Sequence, residues 1–403
     1  MKKKKMKDPR LGLGVSIAIL SVFCIGWSLL HLHPSSAAAV RNGGKKTVNS
    51  VYLLDAAADR MARSQSDEVQ PEEQVVRIHY SIPEDATVAP PPQEDCYGTI
   101  PWNQPELVEP LLEQARAYGL LGEDETVAFD PSATFSSDRD IEYYLDETIL
   151  TLCWKEVIDG CVCSFVEVKV ADASQLRRKF ADDCFGSPNR YYSTEMHKST
   201  NAVVTLNADF YQHRDFGIVV YQRELCRFPT GSFAHFTKYN CLETCFVNAD
   251  GDFLYTQQGM EITEEAMYDY IQENNILFSI SFGPVLVQNG VAREITSYPV
   301  GEIDGGYVRA GIGQMGPLHY LYMCVSNSPK KAADWSVNHF ANRFAQKHVQ
   351  SAYCLDGGQT AEIVFRDGTY NYIEYMFSTQ ERPVSDNIYF ASAIGGVETE
   401  VRE

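Results

Sequence analysis

Several signatures of familiar protein classes are missing from this 403-residue sequence. It contains no G-x-S-x-G nucleophile motif, no H-E-x-x-H zinc motif, no phosphate-binding P-loop and no EF-hand loop. No internal repeat of roughly 20–50 residues is visible, which excludes solenoids and propellers. No Asn-x-Ser/Thr sequon occurs, which favours a bacterial source over a secreted eukaryotic glycoprotein.

Basic residues are scarce outside the N-terminus. The chain has 34 Lys and Arg against 54 Asp and Glu, a net charge of −20. This acidity argues against a nucleic-acid partner, because a phosphate backbone would be repelled. Ordinary glycine and proline contents exclude a collagen-like or wholly disordered chain, and the length suffices for one large domain or two modest ones.

The N-terminus reverses this charge balance. Residues 1–10 form a basic tail, and residues 11–32 contain no Asp, Glu, Lys or Arg. About 20 apolar residues suffice for a membrane-spanning helix, and Lys2–Lys5 place the tail in the cytoplasm by the positive-inside rule. We expect single-pass anchoring in the cell membrane, with the C-terminal domain outside the cytoplasm. A cleaved signal ending near Ala37–Ala39, which gives a secreted protein, is the alternative.

Ten of the eleven cysteines lie outside this apolar segment. An even number is compatible with disulfides outside the cytoplasm, but the spacing does not define the pairing. Cys241 and Cys245 with His235 resemble half of a zinc site whose second ligand pair is missing. We therefore expect no metal and no cofactor, and interpret the cysteines as disulfides or buried thiols.

Composition divides the rest of the chain into four segments. Residues 33–95 resemble a flexible, acidic, proline-rich stalk, because they can bury little apolar surface. Residues 96–147 are predicted to be an extension packed on the domain, and residues 148–395 the domain itself. Residues 396–403 are predicted to be a loose acidic tail.

Short β-rich runs dominate residues 148–395, with a few helical patterns between them. The patterns predict strands over Thr148–Trp154 and Cys163–Val170 around a tight Asp159-Gly160 turn. They predict a helix over Ser174–Ala181. We expect a mixed α/β (α+β) fold, with a mixed β-sheet core and interspersed helices.

One short motif has the wrong context for its usual function. Residues 311–316 match the G-x-G-x-x-G pattern of dinucleotide-binding folds. In such folds the motif follows a strand and opens a helix, whereas Pro317 and a β-rich run follow it here. The context excludes a dinucleotide site.

Polar or glycine-rich turns follow several of the predicted strands, and polar groups on one rim commonly build a pocket. The sharpest case is Asp356, which comes directly after the apolar run Tyr353–Leu355 and before two glycines. Paired glycines allow the backbone to approach a ligand closely. A simple turn stabilised by the aspartate side chain is the alternative interpretation.

Taken in order, the motifs between about Thr148 and Ala391 resemble the phosphodiester glycosidase domain family, especially its bacterial, membrane-anchored members. The resemblance rests on these segments: Val170–Arg177, Asn207–Tyr211, Phe282–Gly290, Arg309–Gly313, Leu355–Thr360 and Glu381–Asp386. One motif alone would be weak, but the shared order and spacing predict the fold of the family.

The resemblance implies an extracytoplasmic hydrolase that cleaves between a sugar C1 and a phosphate, releasing the sugar and a phosphomonoester. Because phosphate is a good leaving group, a strong general acid is less necessary than in other glycosidases. An arginine fork suits the phosphate. A carboxylate then acts as nucleophile, as base towards water or as stabiliser of the cationic centre. The expected substrates are glycosyl-phosphates of cell-wall or exopolysaccharide glycans.

On this basis, the resemblance assigns catalytic roles to Asp356, Asp209 and Arg309. The implied substrate-binding residues lie in the same turns: Asn207, Gly283, Gly357, Gly358, Gln359, Thr360 and Arg382. Asn207 is expected to hold sugar hydroxyls or an acetamido group, and the glycines to admit the ligand close to the backbone. Structural ion pairs are the alternative for both arginines.

Three positions depart from the family patterns L-D-G-G-G-S, R-T-A-I-G and D-G-R. Gln359 stands where the third glycine is usual, Ala310 replaces a threonine, and Ser326–Ser328 replace the D-G-R element. A catalytically degenerate relative that binds carbohydrate or helps assemble the cell surface is therefore the second hypothesis. A structural ectodomain that binds partners through Tyr-rich surfaces is the third.

Overall fold

The computed structural model describes residues 76–209, 211–213, 217–229, 242–256, 262–298, 308–325, 335–371 and 381–402. The predicted tail 1–10, the membrane segment 11–32 and the stalk up to residue 75 lie outside these ranges, as do His235 and Cys241. Among the described residues, no helix has both the length and the apolar character needed to cross a membrane. In the same ranges, no group of three or more His, Cys, Asp or Glu is arranged to hold a metal ion.

Strands make up most of the regular structure. In chain order they are β1 (Val76–Ser81), β2 (Tyr97–Ile100), β3 (Ile141–Leu145), β4 (Ile149–Ile158), β5 (Cys161–Val170), β6 (Leu176–Phe180), β7 (Val204–Asn207), β8 (Val219–Tyr221), β9 (Glu224–Arg227), β10 (Cys245–Asn248), β11 (Phe253–Tyr255), β12 (Ile276–Ile280), β13 (Val285–Gln288), β14 (Val291–Ala292), β15 (Ala310–Gly316), β16 (His319–Val325), β17 (Ser351–Leu355), β18 (Ile363–Phe365), β19 (Gly368–Thr369), β20 (Asp386–Phe390) and β21 (Val397–Arg402). The α-helices of the described ranges are α1 (Glu109–Ala117), α2 (Ser193–Thr200), α3 (Glu264–Glu273) and α4 (Val337–Ala345).

Neighbouring described strands pair antiparallel. The largest sheet has nine strands in the order β14-β13-β17-β15-β16-β5-β4-β3-β2, and a second has five, β19-β18-β7-β20-β6. Smaller sheets are β11-β10-β12, β1-β21 and β8-β9. Sheets with few helices confirm the mixed class. The prediction of a mixed β-sheet is wrong for the described strands, because their antiparallel pairing makes the fold α+β rather than parallel α/β.

The nine-stranded sheet is covered on both faces. One face packs against α1 and α4 through a core that includes Leu112, Phe165 and Phe344. The other packs against the five-stranded sheet through residues such as Val168 and Leu206. Because both faces are buried, the central strands are nearly continuous apolar runs rather than alternating ones.

The predicted hairpin around Asp159-Gly160 is confirmed, with longer strands than expected. β4 and β5 pair from the Ile149–Val170 end of the hairpin to the turn. Asp159 has φ 51° and Gly160 has φ 76°. Two left-handed residues are what a two-residue turn between twisted strands requires.

The G-x-G-x-x-G run lies within β15 and begins no helix, so this run does not have the context that the motif has in a dinucleotide-binding fold. A Cβ added at Gly311 would lie 3.0 Å from the Phe344 ring, and one at Gly313 would lie 2.8 Å from the Ser351 carbonyl oxygen. These glycines therefore let α4 and β17 pack closely on β15.

The predicted helix over Ser174–Ala181 is wrong, because most of this segment forms β6. Leu176, Arg178 and Phe180 are buried, and the two residues between them are partly exposed. A period of two is the pattern of a strand. Pairing with β20 in the five-stranded sheet overrides the local helical pattern.

The predicted loose tail is ordered in its described part. β21 pairs with β1 along six residues, from Val76 opposite Arg402 to Ser81 opposite Val397. β1 itself lies within the predicted stalk. Several apolar side chains of this ribbon are about half exposed, Val76 and Ile78 among them. Backbone hydrogen bonds therefore hold the ribbon more than burial does.

A buried histidine, His319, connects the segment before β3 to the nine-stranded sheet. Its Nδ1 lies 2.9 Å from Glu125 Oε1, and its Nε2 lies 2.8 Å from Glu167 Oε1. Lys169 also contacts Glu125. Burial alone would lower the pKa of His319, but the two carboxylates outweigh it and raise this pKa above its ordinary value.

We expect the stabilisation by His319 to disappear at alkaline pH. A histidine whose pKa is raised by folding stabilises the protein fully below its unfolded pKa of about 6.5, and this contribution is lost as the pH rises through the folded pKa. The difference in unfolding free energy between wild type and His319→Gln should therefore shrink as the pH rises above about 6.5. Urea unfolding over a pH series measures this difference, with His339→Gln, at a partly exposed histidine, as control. A difference that does not change with pH would contradict the prediction.

Candidate active site

The ends of β7, β12, β15 and β17 lie together. The backbone N–H of Asp356 donates to the Ala208 carbonyl at 3.2 Å, and the N–H of Gly283 donates to the Cys354 carbonyl at 3.1 Å. β15 and β17 are neighbours in the nine-stranded sheet. The structure therefore brings together four of the predicted motifs, although they are far apart in sequence.

The Asp356 carboxylate is partly exposed and is oriented by its own turn. Oδ1 accepts the Gly357 N–H at 2.9 Å, and Oδ2 accepts the Thr360 hydroxyl at 2.7 Å. Thr360 is buried, so this threonine supports the carboxylate from inside the protein. The predicted turn is thus present, and it holds the carboxylate in one orientation.

Gly357 leaves no space for a side chain. A Cβ at this position would collide with the Val308 carbonyl oxygen. Gly358 follows with φ 68° and donates its N–H to the same carbonyl at 2.9 Å. Both glycines are therefore required for the turn that carries Asp356 to pass directly over β15.

We expect Gly357→Ala to destabilise the protein by about 1–3 kcal/mol, since the backbone at Val308 must move. The turn would shift with it, so any activity that depends on Asp356 should also fall. Denaturant unfolding measures the first effect. Gly368→Ala is the matched control, because an added Cβ there meets nothing within 4 Å. An equal effect of both variants would contradict the prediction.

Arg309 is the neighbour of Asp356 across the β15–β17 pair. Ala310 pairs with Leu355, and the two functional candidates are the next residues beyond that pair. The Arg309 side chain is largely buried, and its Nε donates to the Trp335 carbonyl at 2.6 Å. This bond fixes the plane of the guanidinium. Asp304, the partner that the alternative of a structural ion pair assigns to Arg309, lies outside the described residues.

Asn207 holds the backbone of Asp356. Its Nδ2 donates to the Asp356 carbonyl at 2.6 Å, and its Oδ1 accepts the Tyr322 hydroxyl at 2.5 Å. The side chain is buried. Asn207 therefore contributes to the site by positioning, and its contact to a sugar stays a prediction.

Asp209 differs from Asp356 because its side chain is completely buried. Its Oδ1 lies 2.9 Å from Arg178 Nη2, and its Oδ2 accepts the Ser281 N–H at 2.8 Å. Arg178 Nη2 also lies 2.7 Å from Asp386 Oδ2. The structure thus places Asp209 in a buried cluster of two carboxyls and one guanidinium, and its catalytic role stays a prediction.

Complete burial raises the pKa of Asp386 to about 7, although Arg178 opposes this shift. For Arg178 the balance is reversed. Burial would lower its pKa, but Asp209 and Asp386 raise it above its ordinary value. The guanidinium therefore stays charged inside the protein.

Arg382 follows the carboxylate of Glu381, which belongs to a second acidic pair. Thr369 Oγ1 lies 2.6 Å from Glu362 Oε1 and 2.9 Å from Glu381 Oε1. Burial above all raises the pKa of Glu362 to about 7, with a further contribution from Glu381. Arg382 itself is partly exposed.

The remaining predicted residues border the same turns. Gln359 is partly exposed beside Gly358. Gly283 is buried with φ 73°, and a Cβ there would collide with the Tyr298 hydroxyl. Gly283 therefore allows Tyr298 to pack against the backbone, and its contact with a ligand stays a prediction.

Three residues of this region were not predicted from the sequence: Arg178, Tyr322 and Glu362. Arg178 was missed because its segment was predicted to be a helix. The alternation of buried and partly exposed residues along β6 is the pattern of a strand and places Arg178 on the buried face. Glu362 is a buried acidic residue directly before the buried strand β18, which is an unusual position for a carboxyl group. Tyr322 lies within an apolar strand, and no local pattern marks it.

Residues 200–391 match the family model described as phosphodiester glycosidase. The chain resembles this family. The matched region contains all ten predicted site residues and begins later than the similarity predicted from Thr148, so β4, β5 and β6 lie outside it.

Two solved structures resemble the chain at low identity. The zebrafish N-acetylglucosamine-1-phosphodiester α-N-acetylglucosaminidase catalytic domain, auto-inhibited by its pro-peptide, is 16% identical, with a TM-score of 0.45 over 64% of this chain and 86% of that one. A hypothetical protein from Synechocystis is 12% identical, with a TM-score of 0.46 over 63% of this chain and 64% of that one. No curated protein matches the sequence significantly.

Proposed function

We propose that this chain hydrolyses sugar-1-phosphodiesters, releasing a free sugar and a phosphomonoester. The observation that carries the proposal is the placement of Asp356 beside Arg309 at paired strand ends, within the region that matches the phosphodiester glycosidase family. An arginine and a partly exposed aspartate on neighbouring strands suit a substrate with an anionic leaving group and an electrophilic carbon.

In the proposed reaction, Arg309 binds the phosphate and Asp356 acts at the anomeric carbon. The C1–O bond breaks with its electron pair leaving on the phosphate, which the guanidinium stabilises. Asp356 either accepts the proton of the attacking water or attacks C1 itself, after which water hydrolyses the glycosyl ester. The two hydrogen bonds to Asp356 hold the carboxylate ready for either role.

The test is to incubate the purified full-length chain with an α-GlcNAc-1-phosphodiester and other glycosyl-phosphate diesters. Equimolar release of sugar and phosphomonoester supports the proposal, and the anomer first formed, observed by NMR, distinguishes base from nucleophile. The proposal would be rejected if the chain hydrolyses none of these diesters although a cooperative unfolding transition shows that it is folded.

The second candidate is a carbohydrate-binding protein without catalysis. It is favoured by Gln359, a partly exposed residue in the turn that follows Asp356, at a position where the family pattern has a glycine. Calorimetric binding of a diester that is never cleaved would support this candidate. If Gln359→Gly then produced hydrolysis, the glutamine would be the cause of the lost activity.

We further propose that the chain acts outside the cytoplasm, anchored by residues 11–32, on cell-wall or exopolysaccharide phosphodiesters. The support is the apolar segment that follows Lys2–Lys5. Protease accessibility in intact cells tests the orientation. A protease-protected domain in intact cells would contradict it, and a shortened soluble product would indicate signal cleavage instead.

A further inference from the structure

Arg178 connects three separate parts of the candidate site through one buried guanidinium. Its Nη2 contacts Asp209 after β7 and Asp386 at the start of β20, and its Nη1 donates to the Ser279 carbonyl in β12. The side chains of all three charged residues are completely buried. The guanidinium face also lies 4.5 Å from the centre of the Phe180 ring.

The cluster is electrically neutral only if it holds one proton. Two ionised carboxyls beside one guanidinium would leave a net negative charge in the protein interior, which is costly. Asp386 also accepts the Ser385 hydroxyl at 3.2 Å, whereas both oxygens of Asp209 accept backbone N–H groups. Arg178 donates to Asp386 through both Nε and Nη2, so its guanidinium pairs with both carboxyls. Burial raises the pKa of Asp386, which makes it a carboxyl that can take up the proton.

Asp209 transmits the position of Arg178 to the site. Its Oδ2 holds the Ser281 N–H, and Ser281 begins the turn that contains Gly283. The Gly283 N–H donates to the Cys354 carbonyl, two residues before Asp356. The carbonyl of Ala208, next to Asp209, accepts the N–H of Asp356 itself.

We propose that Arg178 is a positioning residue for the hydrolytic site, acting through Asp209 on the backbone that carries Asp356. This inference rests on the proposed hydrolysis for its catalytic consequence. It assigns Asp209 to the support of the site rather than to contact with the substrate, because no part of its carboxylate reaches solvent. Asp356 is then the carboxylate that reacts.

The decisive comparison is Arg178→Lys against Arg177→Lys. Lysine keeps the positive charge at position 178. Its single ammonium group cannot replace the planar guanidinium, which contacts Asp209, Asp386 and the Ser279 carbonyl at the same time. Arg177 is adjacent in β6, but its guanidinium points to the other side and contacts the Glu84 and Ala86 carbonyls. The two variants therefore make the same substitution in the same strand with the same charge.

Two measurements on the full-length chain separate positioning from general stability. We expect Arg178→Lys to lower kcat by about 10–100-fold with KM changed less than about twofold, since the defect lies in alignment rather than binding. We also expect amide exchange at Ser281 to accelerate by at least about tenfold while amides in β4 and β5 keep their protection. Arg177→Lys should change neither.

Each outcome decides the inference. An unchanged kcat, or unchanged exchange at Ser281 in the folded Arg178→Lys variant, would overturn it. A uniform rise in exchange across β4, β5 and Ser281 would show a purely structural role and would also overturn it. If wild type proves unable to hydrolyse any diester, the proposed function fails by itself, while selective exchange at Ser281 would still support the positioning role.

Discussion

Arg178→Gln is expected to lower the free energy of unfolding by about 3–5 kcal/mol at neutral pH, the range observed when one member of a buried ion pair is removed. Without the guanidinium, Asp209 and Asp386 remain in the interior with no cation between them. The loss should shrink in acid, because both carboxyls can then take up protons and become neutral. Urea unfolding at several pH values measures the effect.

Two further variants make this expectation specific. Asp386→Asn leaves one carboxylate for one guanidinium, so its cost at neutral pH should stay within about 1 kcal/mol. Because folding raises the pKa of Asp386, its protonated form stabilises the protein at low pH, and this contribution is lost as the pH rises through about 7. Asp386→Asn should therefore remove part of the decline in stability between about pH 4, the ordinary pKa range of a carboxyl, and about pH 7. A loss for Asp386→Asn as large as that for Arg178→Gln would show that charge balance is not the cause.

Asp356→Asn is expected to reduce kcat by about 10²–10⁴-fold, the contribution of a positioned carboxylate to proton transfer or nucleophilic attack. The fold should survive, since the asparagine Oδ1 can still accept from the Gly357 N–H. Its Nδ2 can donate to the Thr360 hydroxyl, which then donates to the Gly357 carbonyl. KM should change little, because binding of the phosphate depends on Arg309 in the proposed arrangement. Steady-state hydrolysis of the glycosyl-phosphate diester measures both constants.

Asp367→Asn is the matched control for this variant. Asp367 is also an aspartate in a turn after a strand, but its side chain is almost fully exposed and lies 3.9 Å from Arg366. Its substitution should leave kcat and KM unchanged. Retention of more than about a tenth of the wild-type kcat by Asp356→Asn would contradict the assigned role.

Local patterns predicted the strand ends of this protein well. Turn residues act through their own backbone, so the Asp159-Gly160 hairpin and the turn after Leu355 could be located from sequence. The chemistry of the second turn follows from Asp356 and its neighbours alone. Resemblance to a family supplied the order of the motifs, and the strand pairing then brought them together.

The support of the site could not be predicted in the same way. Whether Asp209 faces solvent or a buried arginine depends on β6, which is separated from Asp209 by α2 and β7 in the sequence. The segment Leu176–Phe180 contains three basic residues, and its local sequence favours a helix. It forms a strand because it pairs with β20, which is far away in the sequence. Non-local pairing of this kind leaves little trace in a single sequence.

The ribbon of β1 and β21 has a mechanical consequence. Its strands run antiparallel with Val76 opposite Arg402, so whatever precedes the first strand and whatever follows the last one emerge at the same point. A force that pulls the chain at residue 76 away from residue 402 acts on the end of this strand pair. The backbone hydrogen bonds between β1 and β21 would then break one after another instead of resisting the force together. A reporter fused after residue 402 would sit beside the tether, and a short linker joining the two strands would allow new termini to be opened elsewhere in the chain.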